Sequence, residues 1–325
     1  MAFSADQLLE KVNTYLATMP YVREPKGLYA PIEYVLSLGG KRIRPVLMLL
    51  SYQLYKENVD DILPQAAGIE TYHNYTLLHD DLMDCADMRR NKPTVHKVWD
   101  ENTAILSGDA MLVLAYRLMN NCPERYLKQV MDIFSQTALE ICEGQQWDME
   151  FETRNDVTVP EYMEMIRLKT SVLLSAALKI GAVLGGASED DARKLYDFGI
   201  KMGLAFQLQD DYLDVYGDSK VFGKNIGGDI LCNKKTFMLI NALALADGIQ
   251  RKELEKWIAS TAFCPEEKIK AVTALYDKIG IGGICEEKIN AYYVEGLSLL
   301  ESMAVPSERK EELLSLIHIS EPTRR

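Results

Sequence analysis

Two Asp-Asp-x-x-Asp clusters, Asp80-Asp81-Leu82-Met83-Asp84 and Asp210-Asp211-Tyr212-Leu213-Asp214, are the residues of this chain whose types and spacing could do chemistry. Each lies in an otherwise apolar stretch with helical periodicity. At about 100° per residue, Asp80 and Asp84 fall one turn apart on one helix face, as do Asp210 and Asp214. Carboxylates paired in this way suit a hard divalent cation such as Mg2+, which takes oxygen ligands and shares them with a substrate's phosphates. A solvated acidic helix end would account for one such cluster. Two of them in apolar settings are hard to draw from composition alone.

Cations flank both clusters. Gly39-Gly40-Lys41-Arg42-Ile43-Arg44-Pro45 puts three of them in a turn that leads into a helix. Its glycines allow close backbone approach, and a helix start favours anions. Arg89-Arg90-Asn91-Lys92-Pro93 follows the first cluster, Lys224 and Lys234 follow the second, and Lys169-Thr170 stands between them. A basic cluster alone is ordinarily a solvated surface. Beside two carboxylate pairs, these cations suit two diphosphates, one bridged by metal to the aspartates and the other held directly by Lys and Arg.

The elements that must position these groups read as helix almost throughout. Leu8, Leu9, Val12, Tyr15 and Leu16 trace an amphipathic first helix, and Val46 to Tyr55 a buried one opened by Pro45. Periodicity between Gly, Pro, Asn and Asp breakers predicts helices over 63–84, 103–119, 124–150, 160–185, 189–216, 234–246, 251–261, 265–278 and 281–303. Alternating strand patterns are nearly absent, and no repeat or Pro/Gly-rich linker marks a boundary. The expectation is a single large all-α helical bundle over residues 1–314. Residues 315–325 break the preceding charged pattern and resemble translated adapter sequence; they are expected to be a non-native tail in which His318 carries no function.

At 325 residues, with 48% hydrophobic and 26% charged, the chain has an ordinary globular composition and length enough for a large core. A formal net charge of -12 argues against nucleic acid as a partner, though bound metal and local cations can reverse the sign of one pocket. Six cysteines without Cys-x-x-Cys spacing predict buried free thiols in a reducing cytoplasm. No leader pattern opens the chain, and the longest apolar tract, Val172 to Gly186, is interrupted by Lys179 and Gly181 and too short for a membrane span.

Together these motifs make the chain similar to the all-trans prenyl diphosphate synthases of the farnesyl and geranylgeranyl type. The residues that carry the resemblance are 39–45, Glu70-Thr-Tyr-His73 through His79 to Asp84, Arg89 to His96, Ser107-Gly-Asp-Ala110, Lys169-Thr170, Phe206 to Asp214, and Gly223-Lys224 through Asp229 to Asn233-Lys-Lys-Thr236. Motif order and spacing match from about residue 25 to 300. The resemblance implies the isoprenoid synthase helical bundle around a central active-site cavity, a homodimer, and Mg2+ held by Asp80, Asp84 and Asp210, with Asp81, Asp211 and Asp214 completing the catalytic clusters. It assigns Arg89, Lys169 and Lys224 to an allylic diphosphate, with Lys234 nearby, and Lys41, Arg44, His73 and Arg90 to isopentenyl diphosphate. Thr170 and Gln207 would line the path of the allylic cation. His73 read by itself could equally be a satisfied core histidine.

Product length is left open between C20 and C15, with C20 favoured. In the family an aromatic five residues before the first cluster limits chain growth, which nominates Tyr75. On an ideal helix it is Thr76, not Tyr75, that shares the face of the aspartates. Two other readings compete with this one. A terpene cyclase would not need Lys41, Arg44 and Arg90, and a non-catalytic subunit of a heteromeric synthase would be expected to have lost cluster aspartates.

Overall fold

The computed structural model describes residues 3–20, 23–217 and 226–320, with only the backbone of 316–320. In chain order the helices are α1 (Ala5–Thr18), α2 (Lys26–Ser37), α3 (Ile43–Gln53), α4 (Leu63–Met83), α5 (Val95–Val98), α6 (Glu101–Met119), α7 (Glu124–Thr153), α8 (Val159–Ile166), α9 (Val172–Gly185) and α10 (Glu189–Tyr216). They continue with α11 (Gly228–Leu231), α12 (Phe237–Leu245), α13 (Gly248–Ala259), α14 (Pro265–Ile279), α15 (Ile281–Glu301) and α16 (Ser307–Ser320). Two dipeptide strands, β1 (Met88–Arg89) and β2 (Lys92–Pro93), make one antiparallel hairpin. The all-α expectation holds among the described residues.

Local chemistry sets many helix ends. Ser4 with Gln7, Thr158 with Glu161 and Asp247 with Gln250 form reciprocal caps at the starts of α1, α8 and α13. Prolines open α4, α8 and α14, where a missing N–H costs nothing. Gly280, at φ 84, ends α14 and begins α15.

Several helices differ from expectation. α2, with Pro31 inside it, had no predicted counterpart, and α3 begins two residues before Pro45. The predicted helix 160–185 is interrupted by a π-type turn, Arg167–Ser171. The start of the predicted 234–246 helix is delayed to Phe237, where the Thr236 hydroxyl caps it. Backbone helix also continues past Ser315 to Ser320.

The chain forms two compact units, one of Met1–Thr137, Leu173–Tyr196 and Met303–Arg325, the other of Ala138–Val172 and Asp197–Ser302. In the first unit α4 packs along α6, flanked by α2 and α3. Ile32, Val35, Leu36, Leu78, Ala104 and Met111 form a core cluster there, which fixes the register of the α4 turn carrying the first aspartates. In the second unit α12 packs against α8, α14 and α15, and α11 rests on α14.

Two other expectations need amending. All six cysteines are free, but only Cys285 is buried; Cys85, Cys142, Cys232 and Cys264 are exposed. One helical stretch, Val159–Gly185, is long and apolar enough to cross a bilayer, yet 83% of its most apolar window is buried inside the protein. That burial marks it as a core helix.

Candidate active site

The first acidic cluster occupies the last turn of α4. Asp84 closes that helix, its N–H donating to the Asp80 carbonyl at 2.9 Å. Carboxylates are disfavoured at a helix C-terminus, so a nearby cation is required. Arg89 supplies one. Its Nε donates to both Asp81 oxygens at 2.7 and 2.8 Å, its Nη2 lies 2.7 Å from Asp81 Oδ1, and the same Nη2 is 3.9 Å from Asp80. The Asp81 side chain is 8% exposed, so this bidentate pair is largely shielded from water.

The hairpin explains how Arg89 gets there. Its two-residue turn, Arg90-Asn91, has φ values of 51° and 60°. Both are left-handed, the twist a tight hairpin requires. Arg89 is thereby aimed at Asp81, while Arg90 reaches the glycine turn and donates through Nη1 to the Gly39 carbonyl. A Cβ on Gly40 would sit 2.8 Å from the Arg90 guanidinium, so glycine there is what lets Arg90 lie flat on the turn.

Behind that turn opens a pocket of about 520 Å3 lined by Lys41, Arg42, Arg44, Arg90, His73 and Glu70, together with Leu38, Gly40 and Ile43. The three cations read in the sequence divide their work. Arg42, at φ 46° and 5% exposed, turns inward to pair with buried Glu70 at 2.6 Å and donates to the Leu36 carbonyl at 2.6 Å. Asn74 donates to the same Glu70 oxygen at 2.9 Å. Arg42 therefore anchors the loop, which sequence reasoning had not separated from the ligand-facing cations.

Arg44 faces the pocket. Its Nη1 donates to His73 Nε2 at 3.1 Å, and its buried Nε has no hydrogen-bond partner among the described residues. A buried donor left unsatisfied costs about 1–3 kcal/mol, a cost an anionic ligand would remove. Burial, then the charges of Arg44, Arg90, Arg89 and Arg42, push the His73 imidazole well below its ordinary range. His73 is consequently neutral and accepts from Arg44, which makes it an orienting base rather than a fifth cation. The core-histidine alternative is thus half right: His73 is mostly buried, but against a cationic pocket.

The second cluster lies near the end of α10 in the other unit. Asp211 is 3% exposed, accepts from the Tyr162 hydroxyl and lies 3.4 Å from Gln207 Nε2. Burial first, opposed by the Tyr162 hydrogen bond and helped by the Asp229 charge, raises its carboxyl to about 7. Asp214 Oδ2 accepts from the backbone N–H of Asp229 at 2.9 Å, and its carbonyl accepts from Gly227 N–H. Lys234 stands 4.0 Å from Asp229.

Lys169 and Thr170 sit on the π-type turn, a local widening that is common at functional sites. Lys169 Nζ pairs with Asp148 at 2.6 Å, and Thr170 Oγ1 lies 3.4 Å from Gln207 Oε1. Small neighbours make room for the bulge: a Cβ on Gly144 would fall 2.4 Å from Lys169 N, and one on Gly203 2.6 Å from Ser171 Oγ. Asp148 lies in a stretch, Gln145 to Asp148, that the family resemblance singles out without a definite role, whereas Tyr162 had no sequence signal. Lys224 lies outside the described residues.

Among the described residues, no group of three or more His, Cys, Asp and Glu side chains is gathered to hold a metal. The donor set still fits Mg2+, which dehydrates reluctantly and is ordinarily held by one or two carboxylates, waters and substrate phosphates.

Comparison with known proteins places the chain. The polyprenyl synthetase family matches residues 25–276. A short chain isoprenyl diphosphate synthase of Methanocaldococcus jannaschii is 41% identical over 273 residues, 84% of this chain and 83% of that protein. A crystal structure of a geranylgeranyl pyrophosphate synthase is 43% identical and superposes with a TM-score of 0.90, covering 97% of each chain. A geranylgeranyl pyrophosphate synthase from Corynebacterium glutamicum, complexed with isoprenyl diphosphate and magnesium, is 26% identical with a TM-score of 0.87, covering 99% of this chain and all of that one. These likenesses define an all-α prenyltransferase of the isoprenoid synthase fold. The chain belongs to the polyprenyl synthetase family.

Proposed function

We propose that the protein is a Mg2+-dependent short-chain synthase that condenses isopentenyl diphosphate with allylic diphosphates to give geranylgeranyl diphosphate (C20), with farnesyl diphosphate (C15) as the next candidate. The observation that carries this reading is the metal-independent pocket around Arg44, with an unsatisfied buried donor and a neutral His73 orienting it. A second diphosphate site built from Lys and Arg is what distinguishes a condensing enzyme from one that only ionises a single diphosphate. Lys41, Arg44, His73 and Arg90 would hold isopentenyl diphosphate there.

Asp80 and Asp84 with Asp210 would hold Mg2+ on the allylic diphosphate, supported by Asp81, Asp211 and Asp214. When bound, Mg2+ neutralises the diphosphate and stabilises the charge that develops on departing pyrophosphate. Arg89, paired with Asp81, would lend its charge to that phosphate, joined by Lys169, Lys224 and Lys234. Thr170 and Gln207 offer neutral oxygens to the allylic cation without a nucleophile that would trap it. The double bond of isopentenyl diphosphate closes the new carbon–carbon bond, and pyrophosphate takes the proton that is lost.

We read residues 1–314 as the prenyl synthase domain and 315–325 as a non-native tail. Support for that boundary is the buried Leu313 and the bond from Ala5 N–H to Glu312, both just before it. Homodimerisation is supported by Ile105, Leu106 and Val113, exposed apolar side chains on α6. A cytoplasmic location is supported by the six free thiols, four of them exposed.

Incubation with isopentenyl diphosphate and dimethylallyl, geranyl or farnesyl diphosphate, with Mg2+ or with EDTA, tests the reading. Chromatography of the dephosphorylated products is expected to show C20 with Mg2+ alone. Absence of any chain elongation would overturn it, and sedimentation of the same protein tests the dimer.

A further inference from the structure

Lys268, in the first turn of α14, is 1% exposed, yet its partners among the described residues are uncharged. Its ammonium donates to the Leu231 carbonyl at 3.2 Å and to Asn233 Oδ1 at 2.7 Å, and lies 4.3 Å from the centre of the Phe263 ring. Burying an ammonium without a carboxylate is costly, and burial lowers its proton affinity accordingly. A methionine of similar size would leave the Leu231 carbonyl and Asn233 Oδ1 without that donor.

The groups it holds lead directly to the second acidic cluster. Leu231 ends α11, and Asn233 follows in a left-handed conformation at φ 54, its side-chain amide donating to the Ile258 carbonyl at 3.1 Å. Lys234 N–H donates back to the Asp229 carbonyl at 3.0 Å, closing the segment into a tight loop. The start of that loop carries the Asp229 N–H that donates to Asp214. Gly227, at φ 84, lies so close to α14 that a Cβ would meet Ile269 at 2.6 Å. A cavity of about 20 Å3 beside Lys268 is bounded also by Asp211, Asp229 and Lys234, and is of the size that one water fills.

We propose that Lys268 is a positioning residue for the second acidic cluster: its ammonium clamps the 227–234 loop so that the Asp229 amide orients the Asp214 carboxylate and Lys234 is held beside it. The proposal rests on the reading of this cluster as one side of the Mg2+–diphosphate site. It predicts that removing the charge impairs the metal-dependent diphosphate and spares the metal-independent pocket around Arg44.

The test uses wild type, Lys268→Met and Lys268→Ala. Calorimetric titration with inorganic pyrophosphate is run in Mg2+ and again in EDTA, and steady-state kinetics give the half-saturating Mg2+ and KM for each substrate. Supporting groups around metal ligands typically contribute ~10–100-fold in metal affinity. Lys268→Met is expected to weaken Mg2+-dependent pyrophosphate binding and raise half-saturating Mg2+ by about ten-fold, with the isopentenyl KM and the EDTA titration within about two-fold. Ethylammonium added to Lys268→Ala is expected to restore part of the loss. A folded Lys268→Met with wild-type Mg2+ dependence and wild-type binding overturns the proposal and leaves the functional reading standing. Wild type that shows no Mg2+-dependent pyrophosphate binding overturns that reading and the proposal with it. Where Lys268→Met does not fold, Asn233→Leu opens the same clamp from its other end and is judged by the same two measurements.

Discussion

The two aspartate clusters share one spelling and end in opposite electrostatic conditions. Asp81, the middle residue of the first, is gripped by the Arg89 guanidinium. Asp211, the middle residue of the second, meets a tyrosine hydroxyl and a glutamine amide, and burial raises its carboxyl to about 7. A charged partner offsets desolvation where a neutral one cannot. Identical motifs can therefore divide roles: one cluster is anchored by an ion pair, the other by a neutral network that can take up or release a proton.

The sharpest way to break this comparison is to remove the residues that both clusters are proposed to use alike. Asp80→Ala and Asp210→Ala should each lower turnover by about 10^2-fold or more, on the scale of losing one preorganised electrostatic contact to a transition state. Steady-state assays measure this, with helical circular dichroism unchanged. Near-normal turnover in either variant would remove that aspartate from the metal.

The middle residues should then part company in stability. Asp81→Asn leaves Arg89 without its ionised partner and should cost about 2 kcal/mol, the range of a hydrogen bond to a charged group. Asp211→Asn keeps an acceptor for Tyr162 and should cost under about 1 kcal/mol near neutral pH. Urea unfolding of the two variants in EDTA decides it, and equal losses would erase the contrast.

The difference should also titrate. Asp211 is raised from 3.8 to about 7 in the folded protein, so the native state binds its proton more tightly than the unfolded chain does. Its contribution is therefore full below about pH 4 and is lost as pH rises from there to about 7. In EDTA, the stability of wild type relative to Asp211→Asn should fall across that window and level off above it. His73 acts in the opposite sense, because its lowered proton affinity weakens the fold as pH drops below about 6.5. Taking the wild-type minus Asp211→Asn difference cancels that term.

The smallest effect concerns chain length on the first unit. Tyr75 is half-buried, with its ring 5.4 Å from Tyr72 and 4.9 Å from His79, while the Thr76 hydroxyl is spent on the His73 carbonyl at 2.8 Å. Tyr75→Ala should shift products towards longer chains with turnover changed by less than about ten-fold, since it opens space without touching a charge. An unchanged product profile on chromatography would reject Tyr75 as the stop.

Much of this was legible before any coordinates. Helix periodicity and breaker residues are local, so α4, α10 and α14 came out within a residue or two of their limits. The clusters and the glycine-basic turn were legible for the same reason, since their chemistry is written in adjacent residues. Local pattern failed at α2, where Pro31 disguised a helix, and at the π-type turn, where Gly144 and Gly203 admit a bulge that no periodicity announces.

By itself, then, the sequence determined residue types, helix faces and the family of reactions, because those depend on neighbours one to four positions apart. Tertiary structure alone decided which charges cancel. It turned Arg42 inward onto Glu70, 28 residues away, put Arg89 on Asp81 and set the Tyr162 hydroxyl and the Gln207 amide against Asp211. It also buried Lys268 against a loop 35 residues upstream. The physical reason is that the charge a group carries depends on the water it has lost and the partners it has met. Both are settled only when distant segments pack.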